Sequence, residues 1–128
     1  MKIFLVLICL LLSNINFGQS VTAFSDKKTG FIGFKNAKGE VIIEATKYTE
    51  WDGFSEGMIL VGKKDKWGFI NISGEEIIPL TFKSAHIFSQ GLAGVRENKK
   101  WGYIDKTGKM VIEPAFDFCW HFKEDLVC

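Results

Sequence analysis

Histidine and proline are rare in this chain, two of each in 128 residues, and no apolar run is long enough to cross a bilayer as a helix. The longest run, Ile3 to Leu12, has about ten residues against the roughly 20 that a helical span needs, so no retained membrane anchor is expected. With Lys2 ahead of it and Ser13 and Asn14 behind it, that run has the layout of a signal peptide. Small residues at Gly18 and Ser20 bracket the cleavage region near Gln19. The expected division is a signal peptide over 1–19 and one domain over 20–128, secreted, periplasmic or at the cell surface. Cys9 lies inside the apolar run behind the bulky Ile8 and would leave with it.

Scarcity of histidine also narrows the chemistry. His86 and His121 are the whole supply, G-x-S-x-G and H-E-x-x-H do not occur, and Cys119 and Cys128 lack paired C-x-x-C spacing. No enzyme activity and no cofactor are expected. The one cluster with metal-ligating residue types is Cys119, His121 and Cys128, and a small exported hydrolase or metalloprotein built near His121 is the alternative reading. Charge of one sign is missing too: 16 basic residues face 15 acidic ones, and loss of Lys2 would balance them. A phosphate-binding surface needs a basic excess or stripe, so nucleic acid is not an expected partner. Lysines and acids instead mix in Lys63-Lys64-Asp65-Lys66 and Glu97-Asn98-Lys99-Lys100, which read as solvated loops. With so few prolines and no low-complexity tract, no linker is visible.

What the chain does have is a period. Lys66-Trp67-Gly68-Phe69-Ile70 returns 34 positions later as Lys100-Trp101-Gly102-Tyr103-Ile104, and a weaker copy, Ile32-Gly33-Phe34, lies 35 positions earlier. Each is followed at equal spacing by a glycine, Gly39, Gly74 and Gly108, and then by an apolar pair, Val41-Ile42, Ile77-Ile78 and Val111-Ile112. Phe54-Ser55-Glu56-Gly57, Phe88-Ser89-Gln90-Gly91 and Phe122-Lys123-Glu124-Asp125 keep the same frame, with Tyr48, Phe82 and Phe116 six positions ahead of them. A fixed period in this range is the mark of a repeat architecture.

Lys-Trp-Gly-aromatic-Ile, then Asn/Asp-x-x-Gly, an Ile or Val pair near a proline, and Phe-x-Glu-Gly together resemble the WG repeat, over about Thr29 to Val127. The resemblance implies a β-rich tandem array, frequent in exported bacterial proteins, with no established catalytic activity. Three positions depart from it: Ile32 stands for tryptophan, no proline lies near Glu44 and Ala45, and the last unit stops soon after Phe122.

The markers have backbone reasons of their own. Asn36 to Gly39, Asn71 to Gly74 and Asp105 to Gly108 suit type I turns with a left-handed exit at glycine, hence hairpins with a glycine bulge. Glu56-Gly57 and Gln90-Gly91 are expected to turn the chain similarly. Strands are expected at Met58 to Lys63, Trp67 to Asn71, Glu75 to Ile78 and Thr81 to Ile87, with matching strands one unit on, and at Thr22 to Ser25 and Leu126 to Val127. Glycine inside a strand needs a reason. The expectation is that an aromatic ring of a neighbouring strand lies across Gly68 and Gly102.

The fold class is therefore all-β, a tandem array of about three short antiparallel hairpin units of roughly 34 residues. An open ribbon or solenoid-like array is favoured over a closed trefoil- or propeller-like one, because three units are fewer than the usual blades of a propeller. Trp51 and Trp120 fall outside the repeat register and have two readings, filling gaps at irregular end units or stacking on a sugar or peptide. A two-residue turn at Lys123 and Glu124 sets Cys119 opposite Cys128, close enough for a disulfide, whereas a bulge at Asp125 would shift that register and leave Cys119 as a small core residue. Asn71-Ile72-Ser73 is a glycosylation sequon but also simply the turn. The functional expectation is an exported noncatalytic module that binds or scaffolds a protein or a glycan.

Overall fold

A computed structural model describes residues 20–117. The signal segment, Cys119, Trp120, His121 and Cys128 lie outside those residues, as does the strand expected at Leu126 to Val127. The described chain is all-β. Its eleven strands are β1 (Thr22–Ser25), β2 (Ile32–Lys35), β3 (Val41–Tyr48), β4 (Glu50–Ser55), β5 (Met58–Lys63), β6 (Lys66–Asn71), β7 (Glu76–Phe82), β8 (Ser84–Ala85), β9 (Ala93–Glu97), β10 (Lys100–Ile104) and β11 (Met110–Phe116).

They form three antiparallel meanders, β1-β2-β3, β4-β5-β6-β7 and β8-β9-β10-β11, here called the first, middle and last sheet, and none closes into a barrel. One sheet is one repeat unit. The expected strands at Thr22 to Ser25 and Met58 to Lys63 coincide with β1 and β5. The expected strands Glu75 to Ile78 and Thr81 to Ile87 are instead cut elsewhere: β7 runs through from Glu76 to Phe82, and β8 is a separate two-residue strand.

The turns divide into two kinds. At Asn36, Asn71 and Asp105 the carbonyl oxygen accepts from the amide three residues on, at 3.0 Å in each case, and the glycines have φ of 83°, 85° and 89°. The side-chain Oδ1 of each also accepts from two amides ahead of it, as at Asn36 from Lys38 (2.9 Å) and Glu40 (3.0 Å). These are the expected type I turns with glycine bulges. Glu56-Gly57 and Gln90-Gly91 differ from expectation. Both residues of each pair have positive φ (54° and 79°; 53° and 79°), which makes two-residue type I′ turns, the kind whose twist matches a plain hairpin. The charged stretches are tight turns of the same kind, with Lys64 and Asp65 at 53° and 61° and Asn98 and Lys99 at 49° and 69°.

The glycine of the motif faces a wide bulge. Trp67 pairs with Phe82 but Phe69 pairs with Ile78, so Pro79, Leu80 and Thr81 stand opposite the single residue Gly68. Likewise Trp101 pairs with Phe116 and Tyr103 with Ile112. A Cβ on Gly68 would lie 2.5 Å from the Ile78 carbonyl oxygen, and one on Gly102 would lie 2.5 Å from that of Ile112. The expectation of an aromatic ring across these two glycines is thus corrected: backbone fills the space. A ring does cover glycine at two other places, Phe24 over Gly33 and the Trp67 indole over Gly62. In the first unit Ile32 pairs with Tyr48 and Phe34 with Ile43, so the bulge holds one residue more, and this is why its period is 35. The apolar pair of that unit is accordingly Ile42-Ile43, one residue later than the sequence pattern suggests.

The core lies between sheets. Phe34 and Tyr48 of the first sheet pack with Ile59, Val61 and Ile70 of the middle one. Met58, Leu60, Phe69, Ile78 and Phe82 of the middle sheet pack with Ala93, Val95 and Ile104 of the last, joined by Phe88. Alternate residues of β5 thus go to opposite neighbours, which is why Met58-Ile59-Leu60-Val61 has no polar member. Phe69 and Phe88 meet with ring centres 4.7 Å apart.

Candidate functional site

Because Trp67 and Phe69 alternate with Gly68, the aromatic at Phe69 and the tryptophan share a side of the ladder, yet only Phe69 is fully buried. Trp67 and Trp101, equivalent residues of the middle and last sheets, remain half-buried and line one cleft of about 340 Å³ with Asp52, Ser84, Ala85 and His86. Each wall has a local cause. Trp67 stands directly opposite Gly62, and its indole lies over that residue, with ring atoms 3.0–3.1 Å from where a Cβ would be. The missing side chain at Gly62 leaves the ring room to lie flat. Trp101 is stacked on His86, with ring centres 4.6 Å apart and planes 7° from parallel.

The polar walls come from irregular backbone. Trp51 pairs with Val61 and Gly53 with Leu60, so Asp52 is the unpaired residue of a bulge in β4. Bulges redirect a side chain, and this one carries the only carboxylate of the cleft among the described residues. His86 follows the short β8 and is held by its amide, which donates to the Gly94 carbonyl at 2.8 Å. Arg96 pairs with both Ser84 and Trp101, so it shares their face of the last sheet.

Two carboxylates join neighbouring units, and the first of them ties together the two units that wall the cleft. The Glu56 carboxylate accepts from the Gly91 amide at 2.9 Å and pairs with Lys106 at 3.3 Å, joining the middle and last units. Glu76 accepts from Lys47 and from the Tyr48 hydroxyl, joining the first and middle units. The Lys47 hydrogen bond holds the Glu76 carboxyl below the ordinary carboxylate range, while burial pushes the Tyr48 phenol up. Glu56 and Gly91 belong to the Phe-Ser-Glu-Gly marker, whose glutamate therefore serves as a link to the next turn.

The sequence-derived residues separate into three groups. Gly39, Gly74, Gly108, Gly57 and Gly91 are turn residues, and Gly68 and Gly102 lie under the bulges. Trp67 and Trp101 are brought together at the cleft. Trp51 is not: it meets the Phe34 ring edge-on at 5.5 Å and 74°, beside the core between the first and middle sheets, which is the placement of a gap filler. Trp120, His121 and the Cys119–Cys128 pair lie outside the described residues. Among the described residues no group of three or more His, Cys, Asp and Glu could hold a metal ion. Sequence reasoning missed Asp52 and His86 as site residues. Both carried the same signal, since Asp52 and His86 occupy, one unit apart, the irregular register position that Trp120 takes in the next unit.

The model for the WG containing repeat matches residues 32–67, 67–101 and 101–128. No curated protein and no solved structure is significantly similar to the chain. The three matches follow one another with the tryptophan at their joints, with the period of the three sheets but cut at the tryptophan strands inside them, and the chain belongs to the family of the WG containing repeat.

Proposed function

We propose that this chain is an exported, noncatalytic binding or scaffolding module, acting on a protein or a glycan through its tryptophan-lined cleft. One observation carries the reading. Tryptophans from two successive units stay half-buried beside a carboxylate, a hydroxyl and an imidazole, Trp67 resting against the core that takes Phe69 and Ile104 and Trp101 stacked on His86. Large aromatics with a polar rim are the usual material of recognition surfaces. Export rests on the Lys2 and Ile3 to Leu12 pattern, and the noncatalytic reading on the absence of nucleophile and metal motifs from the sequence.

Affinity capture from the native cell envelope, with wild type and Trp101→Ala compared, tests this directly. A partner or glycan retained by the wild type and lost by the variant is the expected result. Equal recovery with both would remove the cleft from the function.

A further inference from the structure

The cleft also says what kind of ligand it suits. Resting on the binding reading above, we infer that it is a subsite for a neutral sugar ring of a glycan.

A volume of about 340 Å³ lies at the lower end of the roughly 300–1,000 Å³ of small-molecule sites, enough for a ring and not for a folded partner. Its apolar walls are flat: the Trp67 indole, and the Trp101 indole backed by His86. A pyranose presents a flat face of C–H groups that matches such walls, ringed by hydroxyls that both donate and accept. The polar groups match that ring. The Asp52 carboxylate accepts only, Ser84 does both, and Arg96 on the adjoining ladder position donates only.

Charge points away from ionic ligands. Among the described residues no lysine or arginine lines the cleft, and Arg96 on the same face of the last sheet balances Asp52, so neither an anion nor a cation meets a net opposite charge there. A strand-adding peptide is disfavoured by the backbone itself. The edge strands beside the cleft are β4, bulged at Asp52, and β8, two residues long, and bulged or very short edges are the forms that resist strand addition. The Asp52 carboxylate makes no ion pair among the described residues, which leaves it available to hydroxyl groups.

The repeat adds a second argument. Trp67 and Trp101 are the same marker in successive units, so the repeat itself places two rings at one cleft. Successive platforms at a fixed interval suit a ligand that is itself a chain of rings.

The test is an array of neutral oligosaccharides, including β-linked glucose and N-acetylglucosamine trimers, run beside a peptide library with the full processed chain. The best binder of each class is then titrated against tryptophan fluorescence. A saturable shift with a neutral oligosaccharide is expected, weakened roughly tenfold in Asp52→Asn and abolished in Trp67→Ala. Asp52 is exposed, so Asp52→Asn should melt like wild type and keep the result readable if Trp67→Ala fails to fold. Oligosaccharide binding unaffected by Asp52→Asn would overturn the inference. Binding of peptides alone, lost in Asp52→Asn, would overturn it and leave the module reading standing, whereas silence from both libraries would overturn both.

Discussion

Single residues in this protein are chosen mostly by backbone sign. Lys64, Asp65 and Lys99 sit at positive φ in type I′ turns, a conformation that costs a non-glycine L-residue about 1–2 kcal/mol. Asn98-Lys99 is one substitution from Asn-Gly, the pair that such turns favour most. Lys99→Gly is therefore expected to stabilise the domain by about 0.5–1 kcal/mol, the greater freedom of glycine in the unfolded chain offsetting part of the gain. Thermal unfolding would show it as a rise of a few degrees. Asp105 makes a different point. Its Oδ1 accepts from the Thr107 hydroxyl and from the amides of Thr107 and Lys109, and the hydroxyl contact foremost holds the carboxyl below its usual range. A carboxyl depressed in the folded state contributes stability above its unfolded pKa and loses it as pH falls through the folded value. Asn36 and Asn71 do the same job without a proton to gain. Asp105→Asn should thus leave stability at pH 7 nearly unchanged and lessen its decline below about pH 4, as urea midpoints across pH would show.

At the scale of strands, the motif Trp-Gly-aromatic-Ile is half of a joint whose other half is the bulge. The chain folds back onto Gly102 so closely that no side chain fits: Ile112 O and Pro114 N would lie 2.5 Å and 2.8 Å from a Cβ. Both neighbours are backbone and cannot swing aside. Gly102→Val is expected to cost about 3 kcal/mol or more, measured by chemical denaturation. Gly62→Ala meets only the Trp67 ring, at 3.0 Å, and should cost less while tilting the indole, seen as a changed near-ultraviolet circular dichroism. Much of this was legible beforehand. Period, turn quartets and β5 follow from glycine and Asn/Asp spacing, because those signals are local. What fills the space over Gly68 is not local, since it depends on three residues of another strand skipping one ladder position. The cleft was hidden for the same reason: Asp52 reaches it by a bulge, and His86 by a stack with a residue 15 positions away. Of its two readings Trp51 takes the gap-filling one, a choice that needed the structure because register alone does not say which irregular aromatic meets a core.

Taken whole, the described array is protected at the outer face of its first sheet. Thr22 and Lys35 pair in the first sheet where Ile59 and Ile70 pair in the middle one, and Ala93 and Ile104 in the last. Those apolar pairs are the faces that receive the preceding unit, so the first unit carries polar residues where a predecessor would dock, as terminal units of repeat arrays do. The Lys35 ammonium also sits 5.1 Å from the centre of the Phe24 ring on that face. The double change Thr22→Ile and Lys35→Ile should expose a docking face and drive association, read as a higher mass in sedimentation. Removing Phe69, whose ring fills the joint between the middle and last sheets, should cost about 3–5 kcal/mol as Phe69→Ala in the same denaturation assay. The wide bulge has one further meaning. A single-residue insertion in a plain strand would exchange inside for outside along everything that follows. The first unit carries such an insertion opposite Gly33, yet Tyr48 still stands across from Ile32 as Phe82 does from Trp67. The bulge thus acts as an expansion joint, letting copies of unequal length descend from one another without any of them turning inside out.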